Sequence, residues 1–532
     1  MGLGVLEPRQ PIVPGTIQLF DNEVHVENTA HLKHAPDGKT ILAPQPSDSP
    51  NDPLNWPTWR KDAMFAILLL GGILSGVHGP VIAPVTLDLA AEFNKDLNAI
   101  AQLSSYMLLV IAGVAYFDAA FAHVYGKRGI FVVSMAIMMA ADAWAAKAEG
   151  YESLLGARIF SGAGQAAFEC LSSSVIADLY FVHQRPKRVG LFVLLFGTGV
   201  YLGVPIGTQI IQVSSWRMAF AGLAITEGVL LLALFFVFFE PVYKREHVDP
   251  LANMSEDAVL EKVHGATEVE EIQGENGTNI ERPKSYLKSL NLYSGRYSQN
   301  NFFLLLYRSI ILTFQPTIFW VSTSGLMLSW PVGISFTAAA FLTLPPYNFS
   351  PQGVANMYLG GWIGMVIALL AGGTIFAIVV KRLAHKNNNV YEPEFLLYQC
   401  IPGVIFFVLG IVGWGWGEEV GISWVGLAVF FAFVNGGAVM YNNAVIGYVI
   451  DAHREYANES QVIIFAIKVS RSQSFSNCIE YIPIRNGLLL CALVDGSWSQ
   501  DCLVDRSGDS SWFGVVGNCF LYMGEENACL LE

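Results

Sequence analysis

The chain has 532 residues, of which 53% are hydrophobic and only 14% charged, and its formal net charge is -14. A soluble protein of this size would carry more charge, so the composition excludes a typical soluble enzyme and predicts a multi-pass membrane protein. Nothing in the composition indicates a nucleic-acid partner.

The first 60 residues are polar and rich in proline, which predicts a disordered cytoplasmic arm (1–60) and no cleavable signal peptide. The arm ends with Trp56, Trp59, Arg60 and Lys61. Tryptophans beside cations are typical of an interfacial anchor, so this end is predicted to lie at the membrane surface.

Ten apolar segments long enough to cross a bilayer follow the arm. They lie near 62–87, 99–121, 129–148, 153–180, 188–211, 217–239, 307–336, 352–380, 395–416 and 422–449. A polar, acidic stretch near 240–300 separates the sixth from the seventh and predicts a flexible cytoplasmic linker. The chain is therefore predicted to be all-α and polytopic, with halves at 61–239 and 301–468.

The distribution of Lys and Arg predicts a cytoplasmic N-terminus. With that orientation the short inner loops hold Lys127, Arg128, Arg185, Lys187, Arg188, Lys381, Arg382 and Lys386. The outer loops hold only Lys95, Lys147 and Arg217. We expect the plasma membrane as the location.

Arg158 and Glu169 are the most informative charges, because both lie in an apolar segment. A charge in hydrocarbon is costly, so both are predicted to face the bundle interior or a water-filled path. They are eleven residues apart, which places them on one helix face. The alternatives are an arginine that extends to the interface and a glutamate paired with a neighbouring helix for packing.

Further polar side chains in the apolar segments are weaker candidates for a substrate or proton pathway. They are Asp142, Glu227, Asn435, Asn442 and His78. Each has an alternative structural explanation: a static charge partner for the two acids, hydrogen bonding between helices for the asparagines, and a satisfied histidine at a kink for His78.

Six short motifs occur in order along the chain. They are Asp52-Pro-Leu-Asn-Trp56-Pro57, Tyr125-Gly126-Lys127-Arg128, Arg158-Ile-Phe-Ser-Gly162-Ala-Gly164, Gly203-Val-Pro205-Ile-Gly207, Trp216-Arg217 and Asn388-Asn389-Val-Tyr391-Glu392-Pro393-Glu394. In order and spacing they resemble the fungal drug:proton antiporter-like branch of the major facilitator superfamily. Two departures are visible: Asp118 lies too early to complete the second motif, and Val204 interrupts the usual Gly-Pro pair of the fourth.

The resemblance implies twelve spans in two six-helix halves that rock around a central site. It implies a secondary transporter, acting as a monomer, that exports a small organic molecule such as a drug, toxin, secondary metabolite or polyamine by proton-coupled alternating access. Residues with an implied role in gating or helix packing are Gly126, Lys127, Arg128, Gly162, Gly203, Pro205 and Gly207. We expect no enzyme activity, cofactor or metal, because no phosphate loop, metal-ligand cluster or activated nucleophile is visible in the sequence.

The resemblance ends near Lys468, within a partial eleventh span at 457–468, so the second half is predicted to be incomplete. After Lys468 no apolar run reaches the length of a span, and five of the seven cysteines occur in this tail. We interpret the polar tail (469–532) as the product of a retained intron or shifted reading frame. A transport-inactive product or membrane sensor is therefore the alternative function.

Overall fold

The computed structural model describes residues 46–181, 184–243, 285–293, 295–298, 301–324, 347–387 and 390–452, and also 17–18, 33, 334, 338, 341–343 and 463–464. Two short strands, β1 (Ile17–Gln18) and β2 (Val390–Tyr391), pair in an antiparallel manner. Every other regular element among these residues is helical, which confirms the all-α class.

The N-terminal half contains eight α-helices among the described residues. They are α1 (Thr58–His78), α2 (Thr86–Phe93), α3 (Leu97–Tyr125), α4 (Arg128–Ala145), α5 (Tyr151–Cys170), α6 (Ser172–Leu179), α7 (Arg185–Val213) and α8 (Trp216–Val237). Of these, α1, α3, α4, α7 and α8 are long and apolar enough to cross a membrane.

The second half and the segment before it contribute six helices among the described residues. They are α9 (Tyr286–Ser289), α10 (Phe302–Thr313), α11 (Pro316–Ser324), α12 (Pro351–Lys386), α13 (Cys400–Val420) and α14 (Trp424–Ala452). A 3-10 turn, Pro393–Gln399, precedes α13. The segments at α12, α13 and α14 bring the candidate spans in the described part of the chain to 8.

Three predicted spans differ from the helices that form. The first ends at His78 instead of 87, because Pro80 has no N–H to continue the helical bonds. The fourth divides at Leu171, where the Ser172 hydroxyl bonds back to the Phe168 carbonyl; such bonds bend helices. The seventh is interrupted before Pro316, and its part beyond 324 lies outside the described residues.

Other predicted regions lie largely outside the description. Of the partial eleventh span only residues 463–464 are described, and the tail is not.

The predicted boundary of the N-terminal arm falls inside a packed segment. Asp52 caps a turn at Pro53–Asn55, and Lys61 donates to the Leu54 carbonyl at 2.7 Å. The Arg60 guanidinium lies 4.0 Å from the ring centres of both Trp56 and Phe239.

Successive spans run in opposite directions and define two ends of the bundle. We call the end with Thr58, Tyr125, Arg128 and Val237 the near end, and the end with His78, Ala145 and Trp216 the far end. At the far end Arg217 bonds Glu92 at 2.8 Å and the Ala148 carbonyl, which joins α8 to α2 and to the loop after α4.

Glycines allow α1 and α7 to approach closely. A Cβ on Gly199 would lie 2.1 Å from the Ile73 carbonyl oxygen, and a Cβ on Gly76 would lie 2.4 Å from that of Phe196. In a bilayer, where helices gain little by leaving lipid, this backbone contact is a main source of association.

The two halves meet along α7 and α12, and α10 also packs against the near end of α3, where the ring centres of Phe121 and Phe302 lie 4.6 Å apart. Trp362 donates to the Thr198 hydroxyl at 3.1 Å, and Gln352 donates to the Pro205 carbonyl at 3.2 Å. Tyr201 donates to the side-chain oxygen of Asn435 on α14. The hydrogen bonds along α7 therefore join neutral polar groups.

We expect Gly199→Ala to lower the free energy of unfolding by about 1–3 kcal/mol, because the added methyl must displace backbone. The measurement is thermal unfolding of the purified protein in detergent, followed by tryptophan fluorescence. Gly190→Ala in the same helix is the matched control, since a Cβ there meets nothing within 4 Å. Equal melting temperatures for the two variants would contradict the close approach.

Candidate functional site

Four charged or titratable side chains from four helices meet inside the N-terminal half. We call them the far-end group: His78 (α1), Asp142 (α4), Arg158 (α5) and Glu227 (α8). His78 Nε2 lies 2.8 Å from Asp142 Oδ2 and 3.1 Å from Glu227 Oε1. None of the four residues is more than 1% exposed.

The end of α1 supplies the backbone atoms that complete the group. Arg158 Nη2 donates to the carbonyl oxygens of His78 at 2.7 Å and Gly79 at 3.4 Å. These carbonyls are available because α1 ends before Pro80, so no following N–H takes them. The helix break thus creates the acceptor for the arginine.

Several polar atoms of the far-end group have no hydrogen-bond partner in the described part of the chain. They include Asp142 Oδ1, both carboxylate oxygens of Glu227, Arg158 Nε and Arg158 Nη1. A buried polar atom without a partner is costly, and such sites often serve function more than stability.

The same side chains are near enough to hold a metal ion: one ligand atom each from His78, Asp142 and Glu227 lies within 4.8 Å of the others. No pattern in the sequence predicted such a group, because its members come from three separate spans. The contact of the imidazole with Asp142 is a hydrogen bond, and Glu227 Oε1 lies at ion-pair distance. The neighbouring Arg158 adds a positive charge, which works against a second cation.

Glu169, predicted to share a face with Arg158, lies in a separate environment. It is half-buried, and Ser75 donates to its carboxylate at 3.3 Å.

Asp118 on α3 is a further acid in the apolar region. It lies too early in the chain to complete the loop motif. Its Oδ2 is buried without a hydrogen-bond partner among the described residues.

The two asparagines of α14 are not part of the far-end group. Asn435 is buried, accepts from Tyr201 across the interface between the halves, and donates to the Phe431 carbonyl at 2.8 Å. Asn442, two turns further on, is half-buried. The structure thus separates the predicted pathway residues into the far-end group, Glu169 beside Ser75, and the asparagines of α14.

The loop between α3 and α4 is fixed at the near end. Glu240 accepts from the backbone N–H groups of Lys127 and Arg128 at 3.0 and 3.1 Å. Burial raises the pKa of the Glu240 carboxyl above its ordinary value, while these hydrogen bonds oppose the shift. The Lys127 ammonium lies 2.5 Å from Asp178 on α6.

The segment that leads to the second half passes over this loop. Arg128 donates to the Ser289 carbonyl at 3.0 Å and to that of Phe235 at 2.7 Å. The Tyr297 N–H donates to the Val124 carbonyl at 2.9 Å. Part of the predicted linker is therefore bound along the near ends of α3, α4 and α8.

The remaining motif residues lie at helix contacts. A Cβ on Gly162 would meet the Met107 carbonyl oxygen at 2.4 Å, and one on Gly203 would meet Val77 at 2.7 Å. Gly207 is less crowded, with Val81 at 3.7 Å. Pro205 lies inside α7, and its carbonyl is the acceptor of the contact from Gln352.

Sequence reasoning missed Asp178 and Glu240. The second motif lacked its usual acid, and these two carboxylates, from later in the chain, bind the same loop. Glu240 comes directly after the sixth apolar segment, which was the available signal. Asp178 lies at the end of the fourth predicted span, where a charged residue is also expected simply because the apolar segment ends.

Comparison with known proteins gives one family. The family model of the Major Facilitator Superfamily matches residues 63–467. The chain is 24% identical to Protein HOL1 of Saccharomyces cerevisiae, over 88% of this chain and 89% of that protein. It is 23% identical to the probable efflux pump mfs2 of Aspergillus flavus, over 74% of this chain and 87% of that protein.

A multidrug transporter of Candida albicans, FLU1, is 23% identical over 78% of this chain and 65% of its own length. Among solved structures, the proton:xylose symporter XylE bound to a bromodeoxyglucose matches with a TM-score of 0.50 at 14% identity. That match covers 83% of this chain and 90% of XylE, and it supports the fold alone.

We expect Gly126→Ala to lower the free energy of unfolding by about 1–3 kcal/mol, because the residue has positive φ. Its φ is 97°, and an added Cβ would lie 2.5 Å from Glu240 Oε2. Thermal unfolding in detergent measures the effect. Gly113→Ala on α3 is the control, because a Cβ there meets nothing within 4 Å. An unchanged melting temperature for Gly126→Ala would show that the Glu240 contact does not hold the loop.

Proposed function

Because the chain belongs to the major facilitator superfamily, we propose that it is a secondary active transporter that exports a small organic molecule in exchange for protons. The observation that carries this proposal is the far-end group. Buried titratable side chains in membrane helices are costly, and they are typical of proton and ion pathways.

The contacts between the halves support a cycle of alternating access. Tyr201–Asn435, Trp362–Thr198 and Gln352–Pro205 are hydrogen bonds between uncharged groups. Each such bond contributes only about 0.5–1.5 kcal/mol, so the interface can open without separating buried charges. Weak contacts of this kind let two halves separate and rejoin, as such a cycle requires.

The direction of transport rests on the relatives. Two of the similar proteins are named as an efflux pump and a multidrug transporter. We therefore place export of an organic compound ahead of uptake. In this proposal the chain acts as a monomer in the plasma membrane with its N-terminus in the cytoplasm, as the distribution of Lys and Arg predicts.

We expect proteoliposomes with an acidic lumen to accumulate an exported compound while the proton gradient lasts. The probes are rhodamine 6G, ethidium and radiolabelled spermidine, each compared with protein-free liposomes. A protonophore should abolish the accumulation, because it removes the driving force. Accumulation that ignores the gradient would contradict proton coupling, and no movement of any probe would contradict the proposed range of substrates.

Arg158→Ala should reduce gradient-driven flux by about two orders of magnitude, because removing one partner of a buried charged contact costs roughly 2–5 kcal/mol. Arg158→Lys should recover only part of the flux, since lysine lacks the planar fork. Flux per inserted protein is the measurement, with membrane insertion measured separately. Arg217→Lys, at the partly exposed far end, is the control. Normal flux in Arg158→Ala would contradict the role.

A further inference from the structure

The two ring nitrogens of His78 have different partners. Nδ1 lies 2.7 Å from the Leu74 carbonyl oxygen, and a carbonyl can only accept, so Nδ1 carries a hydrogen. Nε2 faces the carboxylates of Asp142 and Glu227. Whether the imidazole is charged therefore depends on a proton at one atom, Nε2.

The charges of the far-end group balance when the group binds one proton. Asp142 and Glu227 contribute two negative charges, and Arg158 contributes one positive charge. A protonated His78 brings the sum to zero, a neutral His78 leaves one negative charge buried, and a divalent metal ion beside a neutral His78 leaves one positive charge. An uncompensated charge is strongly disfavoured in a dry interior, so a proton is the cation that fits. A proton on a carboxylate oxygen balances the sum equally, but imidazole has the higher ordinary pKa, which favours Nε2 as the site.

The helices packed around His78 bring no further charge to it in the described part of the chain. The charged residues of α7 lie at its near end, at Arg185, Lys187 and Arg188. Asp178 of α6 is bound to Lys127 at the near end. A further acid on α5 is Glu169, which contacts Ser75, three residues before His78.

We propose that His78 Nε2 is the proton-binding atom of this transporter, that Asp142 accepts from the protonated ring while Glu227 adds a negative charge beside it, and that Arg158 is a positioning residue that holds the end of α1. This assignment rests on the proposed proton-coupled function. Binding is a simple proton transfer: the proton joins the Nε2 lone pair, and release restores the neutral ring with its hydrogen on Nδ1.

The test is magic-angle-spinning NMR of the full chain in liposomes, labelled with 15N at histidine. The signal of His78 is identified by subtracting the spectrum of His78→Gln. We expect both ring nitrogens to carry hydrogen at neutral pH. We expect Nε2 alone to lose its proton, reversibly, as the pH is raised. The reference is the signal of His123, an exposed histidine of α3, which is identified in the same way with His123→Gln.

The double variant Asp142→Asn, Glu227→Gln tests whether the two carboxylate charges, and not burial alone, determine the protonation of His78. Without the two carboxylates, His78 should already be neutral at neutral pH while tryptophan fluorescence shows an intact fold. A neutral His78 in the unaltered protein, loss of the Nδ1 proton first, or an unchanged ring in the double variant would each overturn the assignment. None of these readings depends on transport. Failure of the gradient experiment would instead contradict proton coupling and leave the protonation state of His78 established.

Discussion

The burial of four titratable side chains at the far end is the constraint on which the N-terminal half depends. His78, Asp142, Arg158 and Glu227 come from four helices, and none can reach water. Their contacts with one another and with the end of α1 therefore constrain the rotation of α1, α4, α5 and α8 about their axes. In lipid, apolar burial does not favour one orientation of a helix over another. Contacts between charged side chains therefore determine which faces of the helices pack together.

That arrangement requires two features of the backbone. The break before Pro80 leaves the carbonyls of His78 and Gly79 for Arg158. The close approach of α1 to α7 at Gly76 and Gly199 holds α1 at the depth where this occurs. A side chain at either glycine would move α1, so local chemistry in one segment determines the geometry of the charges in the others.

The sequence allowed the helices and the charged residues to be predicted, but not how they meet. Long apolar runs identify spans because their length and composition leave few alternatives, and His78, Asp142, Arg158 and Glu227 were each recognised as polar within such runs. Which of these residues contact one another depends on helix rotation and on tertiary packing. Neither can be derived from the hydropathy pattern of a single sequence. The same reason explains why Glu240 and Asp178 were missed as partners of the loop before α4. The break at Leu171 was missed because a serine bonding back to Phe168 leaves the hydropathy of the segment unchanged.

The strengths of the contacts indicate where the molecule changes shape. Within the N-terminal half, both ends are joined by charges, at Lys127–Asp178 and in the far-end group. Breaking one buried ionic contact costs about 3–5 kcal/mol, whereas a neutral hydrogen bond contributes about 0.5–1.5 kcal/mol. The contacts between α7 and the second half are of the weaker kind. The N-terminal half should therefore move as one body, with the separation from the second half along α7.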